Sequence, residues 1–253
     1  YPAGKLRIQI MDNTDTRDPR GRPLAMNRFE MLQRAVAEES FVRDFQAKHG
    51  EDSFSLLHRE GTQGYKAGNL NIGLRSITSP YILQLDSDSM VKPDTLRTVM
   101  PEFVHHENDR KSGEPKLAFV QIALDVKNES ENTVTRVLGQ LHRIYELFLN
   151  RIRKHYRFVS STGHHMILAR EAITDAGGHP EDVGVGEDTD LAIGIQIIPD
   201  EAGHRKWMGK RIDYHRLGEM VPEDFDGLKV QRWRWAFGNT RVLVKRFVSI
   251  LRS

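Results

Sequence analysis

Apolar and polar positions divide the first half of the chain into alternating strands and helices. A polar–apolar alternation over Lys5–Met11 predicts a strand, and a mainly apolar run over Tyr81–Leu85 predicts a buried one. Between them, Met26–His49 carries apolar residues at near-helical spacing, and Gly50 is placed to end that helix. Because strands alternate with helices, the pattern predicts an α/β fold with a mostly parallel sheet flanked by helices.

The rest of the chain continues this alternation and becomes richer in helix. The further predicted strands are Ser53–His58, Leu117–Leu124 and Thr162–Ala169, and the further predicted helices are Lys66–Arg75, Asp94–His106, Asn132–Arg153, Glu187–Ile197 and one or two between Glu223 and Ser249. The helix at 132–153 has an apolar stripe, which is typical of a face packed against a core. Its members are Val134, Val137, Leu138, Leu141, Ile144, Tyr145 and Phe148.

Composition narrows the class of protein. Of the 253 residues, 38% are hydrophobic and 28% are charged, as in a globular chain that buries a core. The absence of cysteine excludes disulfides and thiol catalysis. The 37 basic and 35 acidic residues nearly cancel, so nucleic acid is not an expected partner. No apolar run reaches the roughly 18–20 residues of a membrane span. With no repeat or clear linker, residues 1–253 are predicted to form one domain.

Two aspartates follow the predicted strand at Tyr81–Leu85. Asp86 and Asp88 lie two residues apart, so their carboxylates point the same way on an extended chain. In α/β sheets, ligands bind beyond the carboxyl ends of the strands. A pair of carboxylates at such an edge suits a hard divalent cation whose other ligands are substrate phosphates. An ordinary polar turn has the same composition, so the motif alone leaves both interpretations open.

A second acidic pair opens the helix predicted at Glu187–Ile197. Glu187 and Asp188 follow Gly186, and carboxylates at this place stabilise a helix N-terminus. The same carboxylates are able to act in catalysis as a general base. From the residues alone, the capping interpretation stands beside the catalytic one.

The third motif is Gln-Arg-Trp-Arg-Trp at 231–235. On a helix, Gln231, Arg234 and Trp235 share one face, and this set is able to bind a phosphate and stack on a sugar ring. The alternative is an ordinary helix with two buried tryptophans and solvated arginines. Trp233 fits this alternative, because it lies two residues away from both Gln231 and Trp235.

Other chemistry receives less support from the sequence. Lys66 lies at a predicted helix start, where backbone N–H groups favour anions, but the Gly-Lys-Ser/Thr signature of nucleoside triphosphatases is missing. The pairs His105–His106 and His164–His165 are not expected to share a metal, because neighbouring side chains diverge on a helix or strand. Gly-x-Ser-x-Gly, the signature of many serine hydrolases, is also missing.

The order of the motifs resembles the family 2 glycosyltransferases, in particular the processive cellulose, hyaluronan and curdlan synthases. The resemblance spans nearly the whole chain and implies a GT-A-like (Rossmann-like) fold whose first strand is expected to precede Tyr1, so that the chain is a piece of a longer protein. It rests on DNT at 12–14, KAGNLN at 66–71, DSD at 86–88, STG at 161–163, GED at 186–188 and QRWRW at 231–235.

On the donor side, the resemblance implies roles for four residues. Asp12 is expected to contact the uracil of a UDP-sugar, and Lys66 its phosphates. Asp86 and Asp88 are expected to hold the sugar nucleotide together with a magnesium or manganese ion.

On the acceptor side, the resemblance makes Asp188, beside Glu187, the general base that deprotonates the acceptor hydroxyl. Gln231, Arg234 and Trp235 are expected to bind the diphosphate and the acceptor sugar. Inverting transfer by a single in-line displacement is the implied reaction.

The expected function is therefore transfer of a hexose, with UDP-glucose as the expected donor, to a growing β-linked polysaccharide. The alternatives are an enzyme that adds a single sugar, a catalytically silent module that binds a nucleotide or glycan, and a metal-dependent phosphoesterase. The chain departs from the family pattern at Asn13-Thr14, at Gly186, and at His164, where many members have a small residue.

The resemblance also divides the predicted domain and places its parent protein. Residues 1–125 are expected to bind the nucleotide sugar, and residues 126–238 are expected to bind the acceptor and carry the catalytic residues. The basic amphipathic pattern of 239–253 is typical of a helix at a membrane interface, and a helix packed on the domain is the alternative. The parent is expected to be an integral membrane protein that holds this domain on the cytoplasmic face, with its membrane helices outside the chain.

Overall fold

The computed structural model of the protein describes residues 5–13, 28–59, 61, 63–156 and 158–252, without the side chains of 28, 149–156 and 250–252. The chain divides into two compact units, Tyr1–Ile77 and Thr78–Ser253. The functional division expected at residue 125 stays a prediction. The loop expected at Arg17–Pro23 and most of the turn after Asp12 lie outside the described residues.

The first unit contains a parallel pair of strands, with Ile8 opposite Phe54 and Asp12 opposite His58. The helix expected at Met26–His49 is instead two helices, because Glu39 takes an extended backbone conformation between them. The strands are β1 (Ile8–Asp12) and β2 (Phe54–His58), and the helices are α1 (Arg28–Glu38), α2 (Ser40–His49) and α3 (Tyr65–Ser76), with a short 3₁₀ turn at Glu51–Ser53.

The second unit is built on a four-stranded sheet of order β3-β5-β4-β6. Strands β4 and β6 are parallel, whereas β5 is antiparallel to both of its neighbours. The α/β prediction is confirmed, with β5 as the strand that departs from the parallel pattern. The strands are β3 (Tyr81–Gln84), β4 (Lys116–Val126), β5 (Met166–Ala169) and β6 (Trp207–Glu219).

Six helices accompany this sheet among the described residues. The helix expected at Asp94–His106 is two helices, since Pro101 begins a new one directly after Met100. The helices are α4 (Thr95–Val99), α5 (Pro101–Asp109), α6 (Thr133–Tyr156), α7 (Arg170–Asp175), α8 (Glu187–Gln196) and α9 (Phe225–Arg252). None of the helices, as far as the structure describes them, has a stretch long and apolar enough to cross a membrane.

The core of the second unit lies along β4, whose residues from Leu117 to Leu124 are at most 5% exposed. Strand β5 pairs with β4 and is buried along its whole length. Trp207 closes the core at the start of β6, and its indole N–H donates to Asp175 at 2.8 Å. Candidate site residues lie at or just beyond the ends of strands of this sheet, such as Asp86 after β3.

The apolar stripe of α6 does not pack into the core as predicted. Val137, Leu141 and Phe148 are about half or more exposed, at 48%, 51% and 65%. The inward face is narrow: Leu138 is 4% exposed, and the buried charge on this face, Glu146, pairs with Arg211 of β6. The core interpretation of the stripe is wrong because a buried ion pair and small side chains take the inward positions. Ile144 and Tyr145 are exposed as well.

Candidate active site

A loop directly before β5, Ser161–His165, is held by two buried glutamines. Gln84 of β3 donates from Nε2 to the carbonyl of Gly163 at 2.6 Å. Gln121 of β4 accepts a loop N–H at 3.0 Å and donates to the carbonyl of His164, also at 3.0 Å. Buried amides with satisfied hydrogen bonds hold a backbone firmly, because breaking one of these bonds leaves a buried polar group without a hydrogen-bond partner. The backbone of this loop is therefore held in a fixed position relative to the side chains that contact it.

His164 of the Ser161–His165 loop lies near Asp86. Asp86 follows β3 in a tight turn, in which its N–H donates to Ser89 Oγ at 2.9 Å and its carbonyl accepts the Ser89 N–H at 3.1 Å. His164 Nδ1 lies 3.5 Å from Asp86 Oδ2. Asp88 is exposed in the same turn. The structure thus places both aspartates beyond the end of β3, as the sequence predicts.

The donor set at this turn fits a divalent cation. Among the described residues, no three histidine, aspartate or glutamate side chains are grouped closely enough to hold a metal by themselves. Two carboxylates suffice for magnesium or manganese, because these ions commonly take their remaining ligands from diphosphate oxygens and water. Asp88 is exposed and Asp86 only partly covered, so both carboxylates are accessible to an incoming metal–nucleotide complex.

Gly163 of the Ser161–His165 loop lies against Asp188. Gly163 has a φ of +83°, and a Cβ built on it would lie 3.0 Å from Asp188 Oδ2. Asp188 and Glu187 form the first turn of α8, which follows Gly186 in the left-handed conformation. Glu187 is 9% exposed, whereas Asp188 is half-buried. Two neighbouring residues of one loop thus approach Asp86 and Asp188, although 102 positions separate these aspartates in the sequence.

Helix α9 is anchored to α8 by buried charges. Asp190 is fully buried, and its carboxylate accepts hydrogen bonds from Lys245 at 2.8 Å and from Arg246. Next to these ion pairs, Val242 is 1% exposed and packs with Val183 and Ile193. Because a buried carboxylate strongly requires its partners, these contacts fix the position of α9 along α8.

Helix α9 packs against the segment just before α8 through the face on which the Gln-x-x-Arg-Trp motif also lies. A Cβ on Gly238 would lie 2.7 Å from the carbonyl carbon of Val185, just before the acidic pair of α8. Gln231, Arg234 and Trp235 precede Gly238 by seven, four and three positions, so all four share one helix face. Helical geometry therefore directs the motif towards the side of α9 on which Glu187 and Asp188 lie.

The tryptophans of the motif differ in exposure. Trp235 is 45% exposed and carries the guanidinium of Arg232 over its ring at 4.7 Å. Trp233 lies off this face and is 75% exposed. The alternative of two buried tryptophans is therefore wrong. An indole that is half open to solvent is able to stack on a sugar ring without displacing protein side chains.

In the first unit, Asp12 ends β1 beside His58 of β2, and its Oδ2 lies 2.7 Å from His58 Nδ1. The imidazole in turn stacks on Phe29 at a centroid distance of 4.0 Å. Lys66 is the second residue of α3, and Arg59 holds the preceding turn by donating to the Gln63 carbonyl at 2.5 Å. Both predicted donor residues of this unit lie at element ends, where ligands of α/β folds bind.

Sequence reasoning missed two residues of these sites. Glu219 ends β6, and its Oε2 lies 3.6 Å from His164 Nε2. It was missed because no strand was predicted at Trp207–Glu219. Arg59 was missed because it lies in a loop with no distinctive motif. His164 was noted as a departure from the family pattern and as one of a histidine pair not expected to share a metal, and the structure places it near Asp86.

Comparisons with known proteins agree with the motif order. The family model described as Glycosyl transferase family group 2 matches residues 81–252. Glucomannan 4-beta-mannosyltransferase 7 of Arabidopsis thaliana is 27% identical over 259 residues, covering 100% of this chain and 40% of the relative. Poly-beta-1,6-N-acetyl-D-glucosamine synthase of Staphylococcus aureus is 26% identical over 196 residues, covering 74% of this chain and 42% of the relative.

Solved structures share the fold. The mannosyltransferase PcManGT from Pyrobaculum calidifontis, solved with GDP-Man and Mn²⁺, has a TM-score of 0.55 at 19% identity and covers 100% of this chain and 67% of its own. S. aureus TarS with UDP-GlcNAc has a TM-score of 0.51 at 12% identity, covering 90% of this chain and 53% of its own. These neighbours identify the fold as GT-A.

The chain spans about two-fifths of the length of the relatives it matches. The family match covers more than half of the chain, including the turn after β3, the acidic pair of α8 and the Gln-x-x-Arg-Trp face of α9. The chain therefore belongs to the glycosyl transferase family group 2 and carries a cellulose synthase-like glycosyltransferase domain of GT-A fold.

Proposed function

We propose that the protein transfers a hexose from a nucleotide diphosphate sugar to a growing β-linked polysaccharide, with inversion at the anomeric carbon. The observation that carries this proposal is the Ser161–His165 loop, whose neighbouring residues Gly163 and His164 approach Asp188 and Asp86 respectively. A glycosyl transfer site needs these two elements close together, one to hold the donor diphosphate and one to activate the acceptor.

Asp188 is the proposed general base. Its carboxylate takes the proton of the acceptor hydroxyl while the acceptor oxygen attacks the anomeric carbon. The bond from that carbon to the diphosphate oxygen breaks in the same step, and the electron pair leaves with the nucleotide diphosphate. Attack opposite the leaving group inverts the configuration. Glu187, buried beside Asp188, is proposed to support the base without touching the acceptor.

The leaving diphosphate carries developing negative charge that must be stabilised. Asp86 and Asp88 are the residues that would hold a magnesium or manganese ion, and such an ion neutralises phosphate charge when bound. Arg234 presents a planar guanidinium that suits diphosphate oxygens, and it shares its face with Gln231 and Trp235. The family resemblance assigns Lys66 of the first unit to the same diphosphate.

Two nucleotide sugars are proposed as candidate donors. UDP-glucose is the donor expected from the motifs. GDP-mannose is proposed as the second candidate, because several relatives are named glucomannan mannosyltransferases and a structural neighbour was solved with GDP-Man. The base of the nucleotide is proposed to meet Asp12. A screen of UDP-glucose, GDP-mannose, UDP-N-acetylglucosamine and UDP-galactose with manganese or magnesium tests the proposal. Turnover with none of them, or phosphate release from simple esters instead, would contradict it.

The catalytic role of Asp188 is tested by Asp188→Asn. We expect this variant to lose turnover while it still binds the nucleotide, because the amide keeps the shape of the side chain but cannot take a proton. Asp109→Asn, an exposed change at the end of α5, is the matched control and should keep full activity. Turnover near the wild-type rate in Asp188→Asn would show that Asp188 is not the general base.

Processive synthesis at the cytoplasmic face of a membrane is the remaining part of the proposal. The distribution of product lengths separates it from the addition of a single sugar. Exposed apolar residues of α9, such as Val244 and Phe247, alternate with basic residues and support an interfacial position. Flotation with vesicles containing anionic lipid tests this position, with and without residues 239–253. Equal flotation of both forms would favour a helix that packs only on the protein.

A further inference from the structure

The imidazole of His164 lies between two carboxylates that belong to different strands. Its Nδ1 is 3.5 Å from Asp86 Oδ2, beyond the end of β3. Its Nε2 is 3.6 Å from Glu219 Oε2, at the end of β6. The His164 side chain is 13% exposed, and the Glu219 side chain 18%. The ring therefore bridges the opposite edges of the four-stranded sheet at the ends of β3 and β6.

The backbone beneath this ring has little freedom. Gln121 donates to the carbonyl of His164, and Gln84 holds the preceding residue through its carbonyl. The next residue, His165, is fully buried with a φ of +54°, and its ring meets that of His164 edge to face at 4.5 Å. A conformation that rare for histidine persists only when the surrounding structure enforces it. His164 is thus presented at a fixed place and direction.

The side chain of Asp86 is more exposed than the ring beside it. Its side chain is 36% exposed, and it lies in a turn rather than in a strand. The separations of 3.5 and 3.6 Å are longer than direct hydrogen bonds, so the interaction is electrostatic or passes through a water. Even so, an aromatic ring fixed at this distance restricts the rotamers that the carboxylate is able to adopt.

We propose that His164 is a positioning residue that holds the Asp86 carboxylate in the orientation required by the donor's metal–diphosphate, with Glu219 anchoring the far side of the ring. This inference rests on the proposed function. It predicts that His164 affects the affinity for the metal–nucleotide complex and the KM of the donor. The rate at saturating donor depends on Asp188 and should change little.

The test measures binding of manganese with UDP, and in parallel with GDP, by calorimetry, alongside kcat and KM for the active donor. We expect His164→Ala to weaken nucleotide binding about tenfold, which corresponds to about 1.4 kcal/mol, and to raise the donor KM by a similar factor. His164→Gln keeps an N–H near Asp86 and should recover most of the affinity. His204→Ala, at a largely exposed histidine, is the control and should bind as the wild type does.

A double-mutant cycle with Glu219→Gln separates positioning from a structural role. If Glu219 acts through the ring, its substitution weakens binding in the wild type and has no further effect in His164→Ala. Additive losses, or a fall in kcat with an unchanged KM, would overturn the positioning role while the proposed function stands. If the wild type binds neither nucleotide and transfers no sugar, the proposed function fails and the inference fails with it.

Discussion

Replacing Gly163 by alanine tests whether the Ser161–His165 loop positions the catalytic base. Gly163 has a φ of +83°, and a Cβ there would lie 3.0 Å from Asp188 Oδ2 and 3.3 Å from its Cβ. Gly113 is a matched position, because its φ is +84° and no heavy atom lies within 4 Å of its Cβ position. Gly113→Ala therefore carries the same backbone strain without the contact to Asp188.

The expected losses of stability and kcat follow from the backbone strain that both variants share and from the contact with Asp188 that only Gly163→Ala makes. The left-handed conformation costs an alanine about 1–2 kcal/mol, and both variants share this loss. Crowding against Asp188 adds about 1–3 kcal/mol in Gly163→Ala alone, as other overpacked sites do. Asp188 must also shift by a few tenths of an ångström. Because misplacing a reacting group by about 1 Å costs roughly a hundredfold in rate, we expect kcat to fall about tenfold.

Urea denaturation gives the stability of both variants, and initial rates at saturating donor give kcat. Gly113→Ala should lose stability but keep its activity. Gly163→Ala should lose more stability and also about tenfold in kcat, with the affinity for the nucleotide retained. Equal kcat values for the two variants would refute the reasoning, because Asp188 would then not depend on the loop for its position.

Three further predictions concern the anchoring of α9, the response to acid and the acceptor surface. Asp190→Ala should cost about 3 kcal/mol of unfolding free energy, because Arg246 loses this carboxylate and Lys245 keeps only Asp182, whereas Asp182→Ala, which removes a mainly exposed partner, should cost less than about 1 kcal/mol. Urea midpoints compare the two. Burial lowers the pKa of His165 to about 4, below its unfolded value of 6.5, so the unfolded chain binds more protons and stability should fall as the pH drops through this window. His165→Asn should flatten this dependence of stability on pH. An unchanged slope would show that groups other than His165 cause it. Trp235→Ala should raise the KM of the acceptor more than Trp233→Ala does, and the reverse order in acceptor kinetics would place the sugar on the other face of α9.

The sequence predicted the elements with strong local patterns. The strands at β2, β3 and β4, the helices α3, α6 and α8, and a helical segment after Glu223 all lie close to their expected positions. Their apolar spacing arises within each segment, so it is visible without the fold. Sequence reasoning failed at α6, where the same spacing was interpreted as a core face. Helical periodicity shows that a face is apolar, but not whether anything covers it.

Strand β6 was missed for a local reason that the structure explains. Its pairing with β4 shifts register, so that Ile122 lies opposite Ile212 and the next residue, Ala123, opposite Arg216. This irregularity breaks the two-residue alternation by which strands are recognised, and Asp213 and Tyr214 are exposed side by side. Glu219, at the end of this strand, was missed for the same reason.

The sequence alone determined the family, the α/β class and the motif residues, because each motif is a short run of neighbouring positions in a recognisable order. Only the tertiary structure decided which of them meet. Asp86, His164 and Glu219 come from three distant segments, and their separations depend on how β3, β5 and β6 pack around the buried β4. Likewise, close approach at Gly238 and the buried charge of Asp190 direct the Gln-x-x-Arg-Trp face of α9 towards Asp188. Packing between segments depends on the shapes and charges of many distant residues, so no single stretch of sequence records it.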